Sequence, residues 1–447
     1  MERAARGISG FGHGALHHDG APAIETSALR MAAPSAPRWT GGREAAPMNP
    51  MIDVLAPEFR ANPYPVYAEM RRASPVCQVE PGGIWLATRY DDVLFILKTP
   101  EVFSSAGFKA TLEPPWVGYN PLGNSMLALD PPSHTRLRGL IHRAFGAATV
   151  ARMAPRLHAV AAELADGLVG EVDFVEALAN PLPAFAIGEI LGFDHALRAD
   201  FRRWSDDIAT ITPEPLDPEQ PRRVRTTIAE LTRYMTAVIE ERRRAPTDDP
   251  VSDLVRAEVD GQRLTDTEIV EFLFLLLIAG LETTTHLLGN SLLFLADHPD
   301  MMERLRADPA LIPLFVEEMI RYDGPIHMVP RMTTTEVAIS GVTVPRGALL
   351  LPVLASANRD EKRFKDPDRF DLHRGAQGAL PFGHGVHYCI GAALARLEAR
   401  ATVEAVIARF QRIERVPGEI RYNRVFTIRG PVALPLRFTP AGGAPSA

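Results

Sequence analysis

The sequence predicts a mainly α-helical protein, with one main body that has small β-sheets and a long central helix. Apolar residues recur at steps of three and four over 150–168 and 228–244, which is the periodicity of an amphipathic helix. Strand-like patterns are short and occur at 84–90 and 336–354, where they lie beside Gly and Pro turn signals. No internal repeat or low-complexity linker divides the chain after about residue 57.

The composition is that of a globular protein with a large core. Of its 447 residues 46% are apolar, and the formal net charge of −7 does not indicate a nucleic-acid partner. The longest wholly apolar run, 272–281, is about half of the roughly 20 residues that span a bilayer, so we expect a cytoplasmic protein without membrane attachment. Cys77 and Cys389 lie far apart in sequence and are predicted to be free thiols.

The two ends of the chain differ from the body. Residues 1–50 are rich in Ala, Gly, Pro and His and lack an apolar signal-peptide core. They are predicted to be a disordered tail, unless translation starts at Met48 or Met51. We expect the folded domain over 51–440 and a short C-terminal tail over 441–447.

The central helix is predicted to begin after Thr265, which forms a capping box with Glu268, and to continue to about Asp297. Its first half is apolar on all sides, so the helix is expected to run through the interior of the protein. That pattern is interrupted by Ala279-Gly280-Leu281-Glu282-Thr283-Thr284-Thr285.

This interruption combines poor helix formers with polar side chains. The Thr283 hydroxyl is expected to turn back onto the Ala279 carbonyl and bend the helix, which makes room for a small ligand. A buried carboxylate beside a hydroxyl, here Glu282 and Thr283, is what proton delivery to a bound, reduced ligand requires. The alternative is a helix that surfaces at this point, with Glu282 solvated.

The segment PFGHGVHYCIG, residues 381–391, presents Cys389 immediately before a predicted helix. The helix dipole and free backbone N–H groups are expected to lower the pKa of this thiol. Gly383, Gly385 and Gly391 allow close approach of a bulky partner. The spacing excludes a dinucleotide fingerprint, a zinc site and a covalent c-type haem. Two interpretations remain: a nucleophile with His387 as its base, or one axial thiolate to haem iron.

The thiol segment resembles the haem-binding loop of the cytochrome P450 family, the haem-thiolate monooxygenases, in their soluble bacterial form. Three more of the family's motifs have counterparts in the expected order, over about residues 52–438. These are a haem-propionate helix at 130–138, the oxygen-activation motif at 279–284, and a buried ion pair at Glu318-x-x-Arg321, with its third partner in Pro367-Asp368-Arg369-Phe370.

The resemblance implies a haem b cofactor with Cys389 as the iron ligand. It implies catalytic roles in proton delivery for Glu282 and Thr283, and a structural ion-pair cluster of Glu318, Arg321 and Arg369. The other implied cofactor contacts are His134, Arg138, Ala279, Gly280, Arg331, Phe382, His387 and Gly391. The reaction it implies is insertion of one oxygen atom from O₂ into a C–H bond.

The electron source is expected to be a separate protein, because no flavin or nicotinamide fingerprint is visible. The family resemblance indicates a ferredoxin with its reductase, acting on a monomeric protein. Basic residues predict that the thiolate side attracts an acidic partner. They are Arg136, Arg138, His142, Arg143, Arg396 and Arg400.

The substrate pocket is expected to be mainly apolar, and by the same resemblance a lid covers it at 108–116. The implied wall residues are Phe108, Leu275, Ile278, Ile326, Met328 and Ile428. A terpenoid or steroid-like substrate is the first hypothesis, and a fatty acid anchored by Lys109 is the second. A haem-thiolate electron carrier or gas sensor, and a cysteine hydrolase, are alternatives from other classes.

Overall fold

A computed structural model describes residues 52–441 except 81, 145, 193–196, 213, 260, 376 and 424. The predicted N-terminal tail, and the C-terminal tail after Ala441, lie outside the described residues. The helices are α1 Pro57–Ala61, α2 Tyr64–Ala73, α3 Tyr90–Lys98, α4 Ala106–Leu112, α5 Pro121–Asn124, α6 Ser133–Ala144, α7 Ala147–Asp166, α8 Pro181–Leu191, α9 Arg198–Ala209, α10 Gln220–Arg244, α11 Pro250–Arg256, α12 Asp266–Asp297, α13 Pro299–Ala307, α14 Ile312–Asp323, α15 Leu354–Ala357 and α16 Ala392–Arg409.

The strands are short, as predicted for a mainly α protein. They are β1 Val76–Val79, β2 Ile84–Ala87, β3 Phe103–Ser104, β4 Gly170–Asp173, β5 Glu258–Val259, β6 Gln262–Arg263, β7 Arg331–Thr333, β8 Val337–Ile339, β9 Val342–Val344, β10 Leu349–Pro352, β11 Phe410–Arg415 and β12 Pro435–Pro440. The two helices predicted from periodicity lie within α7 and α10.

The largest sheet has the strand order β1-β2-β10-β7-β3. Strands β2 and β10 are parallel, with Leu86 opposite Leu351, and the other neighbours are antiparallel. Cys77 lies on β1, and both cysteines are free, as predicted. The predicted strand at 84–90 stops at Ala87, because the Tyr90 N–H donates to the Asp360 carboxylate (2.8 Å) where α3 begins.

A second sheet, β11-β12-β4, lies beyond the C-terminal end of α16. Its strands are antiparallel, and Leu436 of β12 pairs with both Arg415 and Val172. The predicted strand region at 336–354 separates into the hairpin β8–β9 and the strand β10. The turn signals Gly341 and Gly347 have φ values of 80° and 78°, which a side chain would strain.

Helix α12 is the centre of the main hydrophobic core. It starts with the predicted capping box: the Glu268 N–H donates to the Thr265 hydroxyl (3.2 Å), and the Thr265 N–H donates to the Glu268 carboxylate (2.8 Å). By length and composition it could cross a membrane, but 72% of its most apolar window is buried within the protein. It is therefore the core helix that its apolar sequence predicts.

Candidate active site at the thiol loop

Backbone geometry folds the thiol loop back on itself in front of α16. Gly383 and Gly385 have φ values of 73° and 71°, and a Cβ on Gly385 would lie 2.8 Å from the Leu97 carbonyl oxygen. The Cys389 N–H donates to the Phe382 carbonyl (3.0 Å), which closes the loop. Cys389 remains exposed. The glycines predicted to allow close approach thus place one accessible thiol before a helix.

The chemistry of that thiol differs from the expectation. Although the residue is exposed, the protein packed around the thiol desolvates it and raises the pKa of Cys389; the backbone N–H groups of Gly391 and Ala392 and the charges of Arg138 and Arg396 act in the opposite direction. Desolvation outweighs the helix N-terminus, so the predicted lowered pKa is wrong. A coordinated metal ion deprotonates a thiol outright, which makes the position better suited to a metal ligand than to a free nucleophile.

His387 is not arranged as a base for Cys389. Its Nε2 atom is 2.9 Å from the Ser105 hydroxyl, and its ring lies 4.1 Å from the His134 ring. Among the described residues, no hydrogen bond joins it to the thiol. The geometry therefore gives no support to the cysteine-hydrolase interpretation.

Four basic side chains converge beside the thiol loop and form what we term the thiol-loop cation cluster: His134 and Arg138 on α6, Arg331 on β7, and His387. Burial and the neighbouring positive charges lower the pKa of His134 to about 4 and that of His387 to about 3, and burial lowers the pKa of Arg331 to about 10. The rings of His134 and His387 lie 4.1 Å apart. Arg138 and Arg331 are close enough to both rings for their positive charges to lower the pKa values of the two histidines.

The cluster lacks matching anions among the described residues. The carboxylate of Asp130 is near, but it accepts the Ser105 N–H (2.8 Å) and the Ser104 hydroxyl. Both ring nitrogens of buried His134 have no partner, and the Arg331 guanidinium donates to the Pro330 carbonyl (2.8 Å). With pKa values of about 4 and 3 the two imidazoles are neutral near pH 7, so the positive charge of the cluster is that of Arg138 and Arg331. Two guanidinium groups beside two imidazoles that can donate hydrogen bonds are suited to a ligand with negative groups.

The acid and alcohol of α12 follow Ala279 on the central helix. The Thr283 hydroxyl donates to the Ala279 carbonyl (2.7 Å), as predicted, yet α12 continues without a break. Ala279 is exposed although α12 runs through the core, which marks an open space along the helix. The Glu282 side chain is 19% exposed and accepts from the Asn423 amide (3.3 Å), so the helix does not surface here.

Gly280, which is also a predicted cofactor contact, lies against a neighbouring helix. A Cβ at this position would lie 2.5 Å from Cδ1 of Ile187 in α8. The glycine therefore allows α8 and α12 to pack closely. Phe382 lies under the Arg396 guanidinium, 4.5 Å from it, at the base of the thiol loop.

The buried ion-pair cluster is present, but the prediction of Arg369 as a member is wrong. Glu318 accepts from Arg321 (2.7 and 2.8 Å), and its third partner is Arg374, at 3.1 Å, rather than Arg369. Arg369 is 70% exposed and pairs with Asp371. The Asp371 N–H also donates to Glu318, which turns the chain so that Arg374 points inward.

The predicted substrate wall is assembled only in part. Ile326 and Ile428 pair across an isolated β-bridge, and Phe108 lies 5.9 Å from the Arg331 guanidinium. Leu275 and Ile278 belong to the main core. Met328 is 1% exposed in a separate hydrophobic cluster with Phe59, Tyr67 and Leu86, so its assignment to the wall is wrong. The sequence beside a turn does not determine which way a side chain points, and that of Met328 points into this cluster.

The lid segment consists of α4 and the loop that follows it. The Trp116 indole donates to the Thr212 carbonyl (2.9 Å), and Arg225 of α10 donates to the Trp116 carbonyl (2.7 Å). Lys109 bonds to Asn124 (2.7 Å) and lies 3.5 Å from the Glu113 carboxylate. These partners leave Lys109 less suited to anchor a fatty acid.

Comparison with known proteins decides the family. The cytochrome P450 family model matches residues 201–425. The chain is 38% identical over 414 residues to the cytochrome P450 monooxygenase PikC of Streptomyces venezuelae, which covers 90% of this chain and 97% of PikC. This chain is a member of the cytochrome P450 family.

Solved P450 structures have the same fold. Cytochrome P450 CYP109Q5 from Chondromyces apiculatus is 43% identical, with a TM-score of 0.82 over 88% of this chain and 99% of its own. CYP109E1 from Bacillus megaterium in complex with corticosterone is 33% identical, with a TM-score of 0.76 over 85% and 99%. This P450 is accordingly an oxidoreductase of the monooxygenase class, which uses O₂, a redox partner and hydrophobic substrates.

The P450 family implies a haem cofactor, and the residues of this site fit one. A flat macrocycle with two propionates would supply the anions that the thiol-loop cation cluster lacks, and Cys389 offers a soft ligand for its iron. Ala279 is exposed on a helix that otherwise runs through the core, which would leave room for such a ring. The thiol ligand, the positive charge of the cluster and the exposed Ala279 are thus all consistent with a bound haem.

Sequence reasoning missed several residues of this P450 site. Ser105 holds His387, Arg374 completes the ion-pair cluster, and Asn423 and His286 contact or approach Glu282. Only His286 had a local signal, because it lies four residues after Glu282 and so shares its helix face. The others come from distant segments.

The predicted basic face is partly neutralised. Arg136 pairs with Glu268, and Arg396 pairs with Glu317. His142 is exposed near the end of α6, whereas the side chain of Arg143 lies outside the described residues. Fewer cations than predicted therefore face a partner on this side.

Proposed function

We propose that this P450 is a haem-thiolate monooxygenase that hydroxylates a hydrophobic substrate of steroid or terpenoid size. The observation that carries this proposal is the thiol-loop cation cluster, which lies beside Cys389 and lacks its own anions. An electron carrier or gas sensor would also need a haem-binding cluster. Such a protein would have no use for an acid and an alcohol at 282 and 283.

The cofactor proposed is haem b. Cys389 would hold its iron, while His134, Arg138, Arg331 and His387 would hold its propionates, with Phe382, Gly391 and Ala279 around the ring. Charge-assisted hydrogen bonds of this kind are about twice as strong as neutral ones, so the cluster would fix the orientation of the ring. When bound, haem supplies the activation of O₂ that amino-acid side chains lack.

Glu282 and Thr283 are the proposed catalytic residues. The Thr283 hydroxyl donates its one hydrogen to the Ala279 carbonyl, so in this rotamer it can only accept a hydrogen bond from a ligand, and it could donate to one after rotating away from that carbonyl. Glu282 precedes Thr283 on the helix and contacts the Asn423 amide, with His286 Nε2 3.6 Å away. Its carboxyl can accept a proton from such polar neighbours and donate it toward Thr283. The buried setting keeps bulk water from competing with the substrate.

The substrate proposal rests on the apolar wall and on the relatives. Ile326, Ile428 and Phe108 present apolar surface, and the structure of CYP109E1 is one in complex with corticosterone. A fatty acid is the second candidate, which the partners of Lys109 make weaker.

The proposed electron donors are a ferredoxin and its reductase, acting on a monomeric, cytoplasmic protein. Arg138 on α6 leaves some positive charge near Cys389. If this charge steers an acidic ferredoxin, the rate of haem reduction should fall as ionic strength rises. Stopped-flow reduction at low and high salt tests this, and a rate independent of salt would contradict it.

An optical titration of the haem-loaded protein tests the substrate class. Corticosterone, a sesquiterpenoid and a long-chain fatty acid are added separately, and the Soret band is recorded. A steroid- or terpenoid-induced shift from low to high spin supports the proposal, whereas a shift with the fatty acid alone supports the second candidate. A Thr283→Ala variant that keeps its haem spectrum but loses product formation separates the monooxygenase from a carrier or sensor.

A further inference from the structure

Helix α12 carries a buried polar stripe that continues past the catalytic acid. Glu282, His286 and Asn290 follow one another at four-residue steps, so their side chains share one face of the helix. His286 and Asn290 are 5% and 1% exposed. Burying polar side chains on an otherwise apolar core helix costs folding free energy unless they are hydrogen-bonded.

Each of the three side chains of the stripe contacts a residue from a distant part of the chain. The Asn423 amide donates to Glu282 (3.3 Å), and the Asn290 amide donates to the Arg429 carbonyl (3.3 Å). Between them His286 packs against Gly430, where any Cβ would overlap the imidazole ring. Asn423, Arg429 and Gly430 therefore lie along the stripe, and we term this line of contacts the polar seam of α12.

Three polar atoms in this seam have no partner in the protein. They are Nδ1 and Nε2 of His286 and the side-chain oxygen of Asn290. His286 Nε2 lies 3.6 Å from the Glu282 carboxylate, slightly beyond hydrogen-bond distance. Buried polar groups that lack protein partners are commonly satisfied by ordered water, which bridges two to four such groups.

The seam ends at a cavity. Asn290 lines a cavity of about 510 Å³, together with Tyr64, Asp323, Arg429 and Asp297. Exposed Asn62 and Pro65 also line it, which connects the cavity to solvent. The polar stripe thus leads from a solvent-connected space to the acid proposed to deliver protons.

We propose that this seam is the inlet through which protons reach Glu282, with His286 as the relay and Asn290 as the residue that orients water at the cavity end. This inference rests on the proposed function, because it gives Glu282 its source of protons. His286 accepts a proton from a seam water and donates one to the Glu282 carboxylate. One proton enters the ring and one leaves, no electrons move, and return of the ring to its first tautomer completes the cycle.

The test uses the haem-loaded P450 with ferredoxin and reductase. Its readouts are the ratio of hydroxylated product to hydrogen peroxide and the solvent isotope effect on product formation. In Glu282→Gln, which removes the acid, we expect the ratio to fall roughly tenfold or more. His286→Phe keeps the ring volume and should reproduce most of that fall, whereas His286→Gln, which retains polar atoms, should restore part of it. The isotope effect should increase in both His286 variants.

Two further variants separate a relay from a structural role. Ser291→Ala removes a buried hydroxyl that bonds to the Leu287 carbonyl (2.7 Å) on the same helix but off the stripe, and it should leave the ratio unchanged. Ala68→Phe narrows the cavity from α2, outside helix α12, and it should lower the ratio roughly twofold if water in the cavity supplies the protons. A wild-type ratio in His286→Phe, beside a lowered one in Glu282→Gln, would overturn the inlet and leave the proposed function standing.

A readout without turnover is provided by ¹⁵N NMR of histidine-labelled protein. The His286 signal, assigned by its loss in His286→Gln, should shift in Glu282→Gln, because the ring nitrogen loses an anionic neighbour. An unchanged signal would show that the two side chains are not coupled, and would overturn the relay. A wild-type product ratio in Glu282→Gln would instead contradict the proposed role of the acid itself.

Discussion

Two groups of buried basic residues in this P450 differ in what balances their charge. In the first, which we term the Glu318 ion-pair cluster, Arg321 and Arg374 both bond to Glu318, and Arg321 also donates to the carbonyls of Asn358 and Pro367. In the thiol-loop cation cluster, by contrast, His134 has two unpartnered nitrogens, and Arg331 bonds to the carbonyl of its own neighbour.

The difference distinguishes a structural site from a binding site. A satisfied charge cluster stabilises the fold without help, whereas an unsatisfied one costs free energy until a ligand supplies the missing charge. The two clusters are therefore expected to respond to mutation with opposite signs in haem-free protein.

The largest expected effect concerns the Glu318 ion-pair cluster. Arg374→Ala leaves part of the buried Glu318 charge uncompensated and removes bonds to the carbonyls of Asp366 and Arg369, so it should destabilise the protein by about 3–5 kcal/mol. Arg369→Ala is the matched control, because its exposed pair with Asp371 is worth less than about 1 kcal/mol. Urea denaturation of both variants measures the difference, and equal losses would contradict the reassignment of the third partner.

An effect of opposite sign is expected in the thiol-loop cation cluster. Arg331→Met replaces a buried, uncompensated cation by an apolar side chain of similar length, and should stabilise haem-free protein by about 1–2 kcal/mol. The same variant should lose haem more readily, because one cation for the propionates is gone. Denaturation of the haem-free form and haem transfer to apomyoglobin from the loaded form measure the two effects. Destabilisation of both forms would show that Arg331 is structural.

A buried carboxyl sharpens the comparison, because desolvation without a neighbouring cation keeps it protonated instead of charged. Burial raises the pKa of Glu398 to about 8, and its Oε2 atom has no partner. The folded state then binds a proton that the unfolded chain releases, so stability is greatest below the ordinary pKa of 4.5 and is lost as pH rises toward 8. The expected slope is roughly 1.4 kcal/mol per pH unit in that window.

Glu398→Gln removes this titration while keeping the size of the side chain. We expect the variant to be more stable than the wild type at pH 8 and similar to it at pH 4.5. Urea midpoints at several pH values measure the change. Parallel pH profiles for the two proteins would mean that Glu398 keeps its charge in the folded state.

Local sequence signals predicted the parts of the site that depend on neighbouring residues. The capping box at Thr265 and Glu268 located the start of α12, the hydroxyl of Thr283 bonds where its position indicates, and Gly385 of the thiol loop allows a close approach, here to the Leu97 carbonyl. Each of these depends on a few adjacent residues, which the sequence displays directly.

Features that depend on distant segments were predicted less well. Arg369 and Arg374 are both near the expected position, and only the turn at Asp371 determines which of them reaches Glu318. The pKa of Cys389 depends on burial by the whole fold, which outweighs the helix N-terminus beside it. Met328 similarly faces a cluster built from residues far away in sequence.

The unbroken helix α12 constrains how substrate preference can change. Its 32 residues extend for about 48 Å as one rigid rod fixed in the core. The lid, by contrast, is attached to its surroundings by single hydrogen bonds such as those of Trp116. We therefore expect exchange of residues in α4 and its following loop to change the size of the molecules admitted, because such changes leave α12 and its proposed catalytic groups fixed in the core.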